Sequence, residues 1–165
     1  MPDKQNNSLD RTDLRILTEL QVNGRITNTA LADKVGLSAT PCAERVRRLE
    51  SLGYIESYRA RLNPRLLGLE LLVFVEITLA RTSPDIFAQF SEAIVNLPEV
   101  LECHLVSGHF DYLLKARVAD MAAYRQLLGE TLLTLPGVQD SRTYVVMEEV
   151  KEAATIPLNL EQRTQ

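Results

Sequence analysis

TNTALADKVGLSATPCAERVRRLESL, residues Thr27 to Leu52, is the most informative stretch of the first third of the chain. Thr27 stands between Ile26 and Leu31, and Ser38 between Leu37 and Cys42, so each hydroxyl residue has apolar neighbours at the spacing of a hydrophobic staple around a helix N-cap. The pattern predicts a helix from about Asn28 to Val35, stopped by Gly36, and another from about Ala39 to Leu52, stopped by Gly53. Only Gly36, Leu37 and Ser38 separate them. A short helix, a glycine-bearing turn and a longer basic helix make the helix-turn-helix arrangement. Upstream, Asp10 reads as an N-cap with Asp13 at the third helical position and Leu9 folding onto Leu14. Leu14, Leu17 and Leu20 supply a buried stripe with Ile16 beside it, and Gly24 ends this first of three helices.

The third helix has two faces. Cys42, Val46 and Leu49 recur at helical spacing and must pack on the other two helices. Ser38, Ala39, Thr40, Ala43, Glu44 and Arg47 then lie at or near the N-terminal end of the outward side, where recognition helices reach base edges. Arg47 is the leading candidate for a base or phosphate contact, with Arg45 and Arg48 for phosphate, because a guanidinium suits both acceptors. A solvated basic face would show the same arginines, and the three capped helices around a short turn are what favour DNA. Arg59 and Arg61 offer weaker, wing-like contacts. The charge distribution agrees: residues 1–63 carry ten Lys/Arg against eight Asp/Glu, whereas 64–165 carry eight against fourteen, within a net charge of −4. A small cationic head sits on an acidic body.

After Gly53, residues 54–62 read as a short extended segment, and Asn63-Pro64 marks a break. The second half contains an internal repeat, in which Leu97-Pro98-Glu99-Val100 returns thirty-eight positions later as Leu135-Pro136-Gly137-Val138. Before the first copy come an apolar strand, Leu71 to Leu79, and a helix opened by Ser83-Pro84 that bears Phe87, Phe90, Ile94 and Leu97. Before the second come an alternating strand, Phe110 to Val118, and a helix capped by Asp120 with a stripe of Met121, Tyr124, Leu128, Leu132 and Leu135. A hairpin at Gly108 joins the two units into a β-α-β-β-α-β order. The expected class is therefore α+β: a three-helix, winged-type helix-turn-helix domain over 9–63, a linker over 64–69, a ferredoxin-like sandwich over 70–150 and a tail over 151–165 that fits no pattern.

Most other chemistries find no support. Cys42 and Cys103 are far apart with no CxxC pair, and no histidine stands at metal-ligand spacing, so reduced structural thiols and no metal are expected. His104 and His109 flank the hairpin without a serine or cysteine partner, and the carboxylates are scattered, so no catalytic residue and no enzyme is expected. A glycine-rich phosphate loop is absent, and no cofactor is called for. The longest apolar run, Leu71 to Val75, is too short for a bilayer, and the polar stretch from Met1 to Ser8 reads as a disordered lead rather than a targeting signal. The expected address is cytoplasmic. Asp111, beside an aromatic in the Ser107-Gly108-His109-Phe110-Asp111 turn, carries two readings. It could satisfy turn amides, or it could meet the ammonium of an amino acid whose carboxylate takes backbone donors and whose side chain takes an apolar pocket.

From Leu9 to Val150 the chain resembles the Lrp/AsnC family of transcription regulators. The resemblance rests on Gly24-Arg25-Ile26, Val35-Gly36-Leu37-Ser38, Thr40-Pro41-Cys42, Glu44 to Glu50, Leu72 to Leu79, Glu102 to Gly108, Phe110 to Lys115, Leu127 to Leu133 and Arg142 to Val150. It implies a sequence-specific DNA-binding regulator, associated with the nucleoid, that dimerises through its sheets and assembles into octamers or similar rings. Leucine is the effector it implies, held between dimers near Gly108, His109 and Asp111, with Leu105, Met121, Tyr144 and Val146 at the matching ligand-response positions. His109 departs from an acidic residue beside the turn, and Ala43 from a larger apolar residue on the recognition helix. A rival reading is an amino-acid-sensing module of an enzyme complex, because ferredoxin-like sandwiches serve many contexts. The stapled basic head counts against it.

Overall fold

The computed structural model describes residues 8–81, 83–152 and 155–158. The polar lead, apart from Ser8, lies outside the described residues. The chain divides into two compact units, one made of the described parts of 1–61 and 151–165, the other of 62–150.

The first unit is built from α1 (Arg11–Val22), α2 (Asn28–Val35) and α3 (Ala39–Ser51). Asp10 and Asp13 form a reciprocal capping box at the start of α1, and the Thr27 hydroxyl accepts from the Ala30 N–H to cap α2. Ser38 departs from expectation: it precedes α3 in extended conformation, but its hydroxyl makes no cap hydrogen bond among the described residues. Gly36 ends α2 with φ of 75°, the left-handed region that glycine enters without a Cβ clash, and turns the chain into α3. The three helices close over Ile16, Leu17, Leu31, Ala32, Val35, Cys42, Val46 and Leu49. Each such side chain contributes about 1.5–3 kcal/mol by leaving water, except the smaller Ala and Cys. The segment 54–62 forms no sheet ladder. Instead Tyr58 folds back, its ring 3.1 Å from where a Gly24 Cβ would stand and its hydroxyl donating to Glu50 Oε1 at 3.0 Å.

In the second unit the order is β1 (Leu71–Leu79), α4 (Pro84–Ile94), β2 (Val100–Leu105), β3 (Tyr112–Val118), α5 (Met121–Gln126) and β4 (Val138–Val145). The strands form one antiparallel sheet in the order β2-β3-β1-β4, the ferredoxin-like arrangement. One face is the core. Val73, Val75, Ile77 and Leu79 of β1 and Tyr112, Leu114, Ala116 and Val118 of β3 pack with Phe90 and Ile94 of α4 and with Tyr124, Leu127 and Leu132. Phe90 stacks on Tyr112 with ring centroids 4.3 Å apart.

Two elements differ from the sequence reading. The strand expected from Phe110 begins at Tyr112, because Asp111 is drawn away to bond the end of β1. The single helix expected through Leu135 is instead α5, a π-helical turn over Leu127–Thr131 and a 3-10 turn over Leu132–Thr134. Leu127 and Leu132 are both buried yet five residues apart, which an α-helix would place on different faces. A π turn, closed by the Leu132 N–H on the Leu127 carbonyl, brings them to the same side. The second Leu-Pro repeat closes the same region: Gly137, at φ 77°, lies so near Ile86 that a Cβ would fall 2.5 Å from Cγ2.

Candidate nucleic-acid interface and effector turn

The α2–α3 turn presents the N-terminal half of α3 to solvent. Ser38, Ala39, Thr40, Glu44 and Arg47 are exposed and Ala43 is half-buried, whereas Cys42, Val46 and Leu49 face the core. The three arginines separate into two kinds. Arg45 Nη1 reaches Asp10 Oδ2 at 2.5 Å and Asp13 Oδ1 at 2.8 Å, and Arg48 Nη2 bonds Asp13 Oδ2. Arg47 makes no ion pair among the described residues and projects outward.

Asp13 is wholly buried, at 0% exposure, while the Arg45 and Arg48 side chains keep 33% and 38% of theirs. One carboxylate thus answers three demands, since it also accepts the Asp10 N–H of the capping box at 3.1 Å. Partial burial pushes the Asp10 carboxyl upward, but the Asp13 N–H and the Arg45 guanidinium outweigh this and leave it below its ordinary value. Burial raises the Cys42 thiol, against the pull of Arg45, as expected of a core thiol. This cluster locks the flank of α3 to the first turn of α1. Periodicity did not mark Asp13 as the partner of Arg45 and Arg48; the available signal was that Asp10 with Asp13, and Arg45 with Arg48, share a three-residue spacing.

Arg61, one of the wing-like candidates, pairs with Glu152 of the tail at 2.5 Å, and Arg59 is exposed.

In the second unit the turn between β2 and β3 is held from both sides. The Val106 N–H donates to the Asp111 carbonyl, the Asp111 N–H donates to the Ile77 carbonyl, both at 2.9 Å, and the Leu79 N–H donates to Asp111 Oδ2 at 2.7 Å. The Asp111 carboxylate thus serves an amide at the end of β1 and not, as the first reading had it, an amide of its own turn. Oδ1 has no partner among the described residues. Leu105, Gly108 and His109 are exposed around it.

The other expected effector residues lie elsewhere. Tyr144 pairs with Phe74 in the β1–β4 ladder and donates its hydroxyl to Glu76 Oε1 at 3.0 Å, and the Val146 N–H bonds the Leu72 carbonyl at 3.0 Å. Phe74 and Leu72 stand three and five residues back along β1 from Ile77, roughly 10 and 17 Å at the rise of a strand. Met121, exposed, opens α5. One chain thus brings Leu105, Gly108, His109 and Asp111 together but not Tyr144 and Val146 with them.

The sheet's second face, opposite the one that packs on α4 and α5, mixes apolar and charged groups. Phe74, Glu76, Tyr144, Glu102 and Lys115 alternate there with the core residues. Lys115 donates to Glu102 at 2.9 Å, and this bond, stronger than the opposing effect of burial, holds the Glu102 carboxyl below its ordinary value. Among the described residues no helix is long and apolar enough to cross a membrane, and no group of three His, Cys, Asp or Glu is arranged to hold a metal ion.

Residues 9–56 match the family model for winged helix-turn-helix DNA-binding, and residues 72–156 match that of the Lrp/AsnC ligand binding domain. The chain belongs to the Lrp/AsnC family. It is 65% identical over 152 residues to the leucine-responsive regulatory protein of Haemophilus influenzae, covering 92% of each chain. With the leucine-responsive regulatory protein of Escherichia coli K12 it shares 66% over 145 residues, 88% of each. A Neisseria meningitidis transcriptional regulator solved as an L-Met complex superposes with a TM-score of 0.89 at 39% identity, over 92% of this chain and 98% of that one. As an Lrp/AsnC member the chain is a ligand-responsive, DNA-binding transcription regulator and not an enzyme.

Proposed function

We propose that this chain is a leucine-responsive regulator that acts in the cytoplasm, on the nucleoid, as an assembly of several copies. Its head reads operator DNA by setting α3 in the major groove, with Ser38, Ala39, Thr40, Ala43 and Glu44 toward base edges and Arg47 on a base or phosphate. The observation that carries this reading is the sorting of the arginines: Arg47 is left outward while Arg45 and Arg48 grip Asp13. The latter two keep about one-third of their surface, which leaves them available to phosphate at the margin of the helix.

The sheet face opposite α4 and α5 supports dimerisation, since half-buried Phe74 and exposed Tyr144 lie among charged groups there. Dimers then assemble to an octamer or a similar ring. Leucine binds where Leu105, Gly108, His109 and Asp111 of one copy meet a neighbouring copy, with Met121, Tyr144 and Val146 taking part from other positions. The separation of these residues within one chain supports a site completed between copies. One head with few phosphate contacts binds weakly and loses affinity steeply with salt, whereas linked heads gain effective concentration. A ligand at the contact between copies biases assembly and with it the half-sites engaged together.

The test has two arms. Genomic fragments are selected on the wild-type protein with and without a panel of amino acids, and sedimentation is measured with leucine, methionine or alanine. Leucine is expected to change both the mass distribution and the fragments retained; an unchanged mass and unchanged DNA affinity with all three refutes the sensing role. Arg47→Ala is expected to lower specific affinity by about 5- to 150-fold, the range of a lost base contact, with the oligomer intact.

A further inference from the structure

The head carries a groove that the DNA-binding role does not use. It has a volume of about 410 Å³ and lies between Leu17, Leu20 and Gln21 of α1 and the returning segment Tyr54 to Tyr58. Ile156 and Leu158 of the segment 155–158 complete its wall. Leu158 packs against the buried cluster of the head together with Leu20 and Ile55.

The seat is specific for backbone as well as for apolar surface. The Ile156 N–H donates to Gln21 Oε1 at 2.6 Å, and Gln21 Nε2 donates back to the Ile156 carbonyl at 3.1 Å. A carboxamide that bonds both main-chain groups of one residue imitates the pairing an extended segment receives from a strand neighbour. Burial and the Glu50 carboxylate push the Tyr58 hydroxyl up to about 12, so it stays a protonated donor to Glu50, and Glu56 lines the same groove.

We propose that the side of α1 marked by Leu20 and Gln21, next to this groove, is a docking site for the C-terminal segment 155–158 of the same chain, and that the docked tail is a second tether between the two units. The chain leaves the first unit after Arg61 and returns to it from Lys151, so the head is joined to the sandwich at both ends of the sandwich sequence. Only five residues, 146–150, separate the end of β4 from the returning tail. A docked tail restricts the excursions of the head that a linker alone would permit, and its release widens them. The inference is independent of which amino acid or operator the protein uses.

Full-length protein is the material for the test. A photoreactive benzoylphenylalanine replaces Leu158, and isotopically heavy and light chains are mixed under exchange conditions before illumination. Cross-links are expected on Leu17, Leu20 or the 54–58 segment, and within chains of one isotope. Heavy–light cross-links at the same residues would transfer the seat to a second copy's tail and overturn the assignment to the same chain. Absence of cross-links to the head would overturn docking itself.

Amide hydrogen exchange supplies the second readout. Gln21→Ala, which raises helix propensity, is expected to accelerate exchange of the Ile156 amide about tenfold or more, as two lost hydrogen bonds require. Gln21→Glu keeps an acceptor for that amide and is expected to fall between. Equal exchange in all three proteins refutes the clamp.

Discussion

Replacing Asp13 by Asn tests the claim that one buried carboxylate fixes the recognition helix. The substitution keeps the volume and one acceptor for the Asp10 amide, and removes the charge that faces Arg45 and Arg48. Breaking a fully buried ion pair costs about 3–5 kcal/mol because a bare charge is left in the interior. Here the orphaned groups are guanidiniums that remain 33% and 38% exposed, so water takes up part of the loss. We expect a cost of about 2–3 kcal/mol. For a unit of this size that lowers the head's midpoint by about 10–20 °C, the sandwich transition serving as internal reference. Calorimetry of the full chain reads both transitions. Urea denaturation of Asp13→Asn, Arg48→Ala and the double variant then gives the coupling energy, which should exceed about 1 kcal/mol. A midpoint lowered by less than about 2 °C, or single-variant costs that simply add, would refute the reasoning.

The remaining predictions concern the surface of α3, the sandwich and its acid stability. Arg47→Ala should leave the head's unfolding free energy within about 0.5 kcal/mol of wild type while reducing specific DNA retardation, so that stability and affinity separate between Arg47 and Asp13. Gly137→Ala should destabilise the sandwich by about 1–3 kcal/mol, since the new methyl meets Ile86 and the backbone stays in the left-handed region. Chemical denaturation measures this, and Ile86→Ala should relieve only the steric part. The hydrogen bond from Arg117 is the largest influence on Glu149 and holds its carboxyl below the ordinary value. A carboxylate depressed in the folded state adds stability that is present above its unfolded pKa and disappears as pH falls through the folded one. The midpoint of the sandwich should therefore decline below about pH 4.5, and Glu149→Gln should flatten that decline. Parallel acid titrations of the two proteins would contradict the assignment.

Features fixed within a few residues are legible in the amino-acid order alone. Asp10 with Asp13, Thr27 before α2, Ser83-Pro84 and Asp120 announce helix starts because a cap acts inside one turn. The bounds of α2 and β1 could be read from the residue pattern, since Gly36 stops a helix and an apolar run bounded by a break makes a strand. The two faces of α3 were visible for the same reason, and so was the likeness of the chain to its family. The partners emerge from packing between distant elements. Arg48 finds Asp13 thirty-five positions away, and Gln21 finds Ile156 at a separation of 135. The Asp111 carboxylate closes on Leu79 rather than on its own turn, and the π turn forms because Leu127 and Leu132 must enter the same core. Local energies are written in adjacent side chains, but which distant groups meet depends on how whole elements pack, and that is settled by the shared burial of surfaces far apart in the chain.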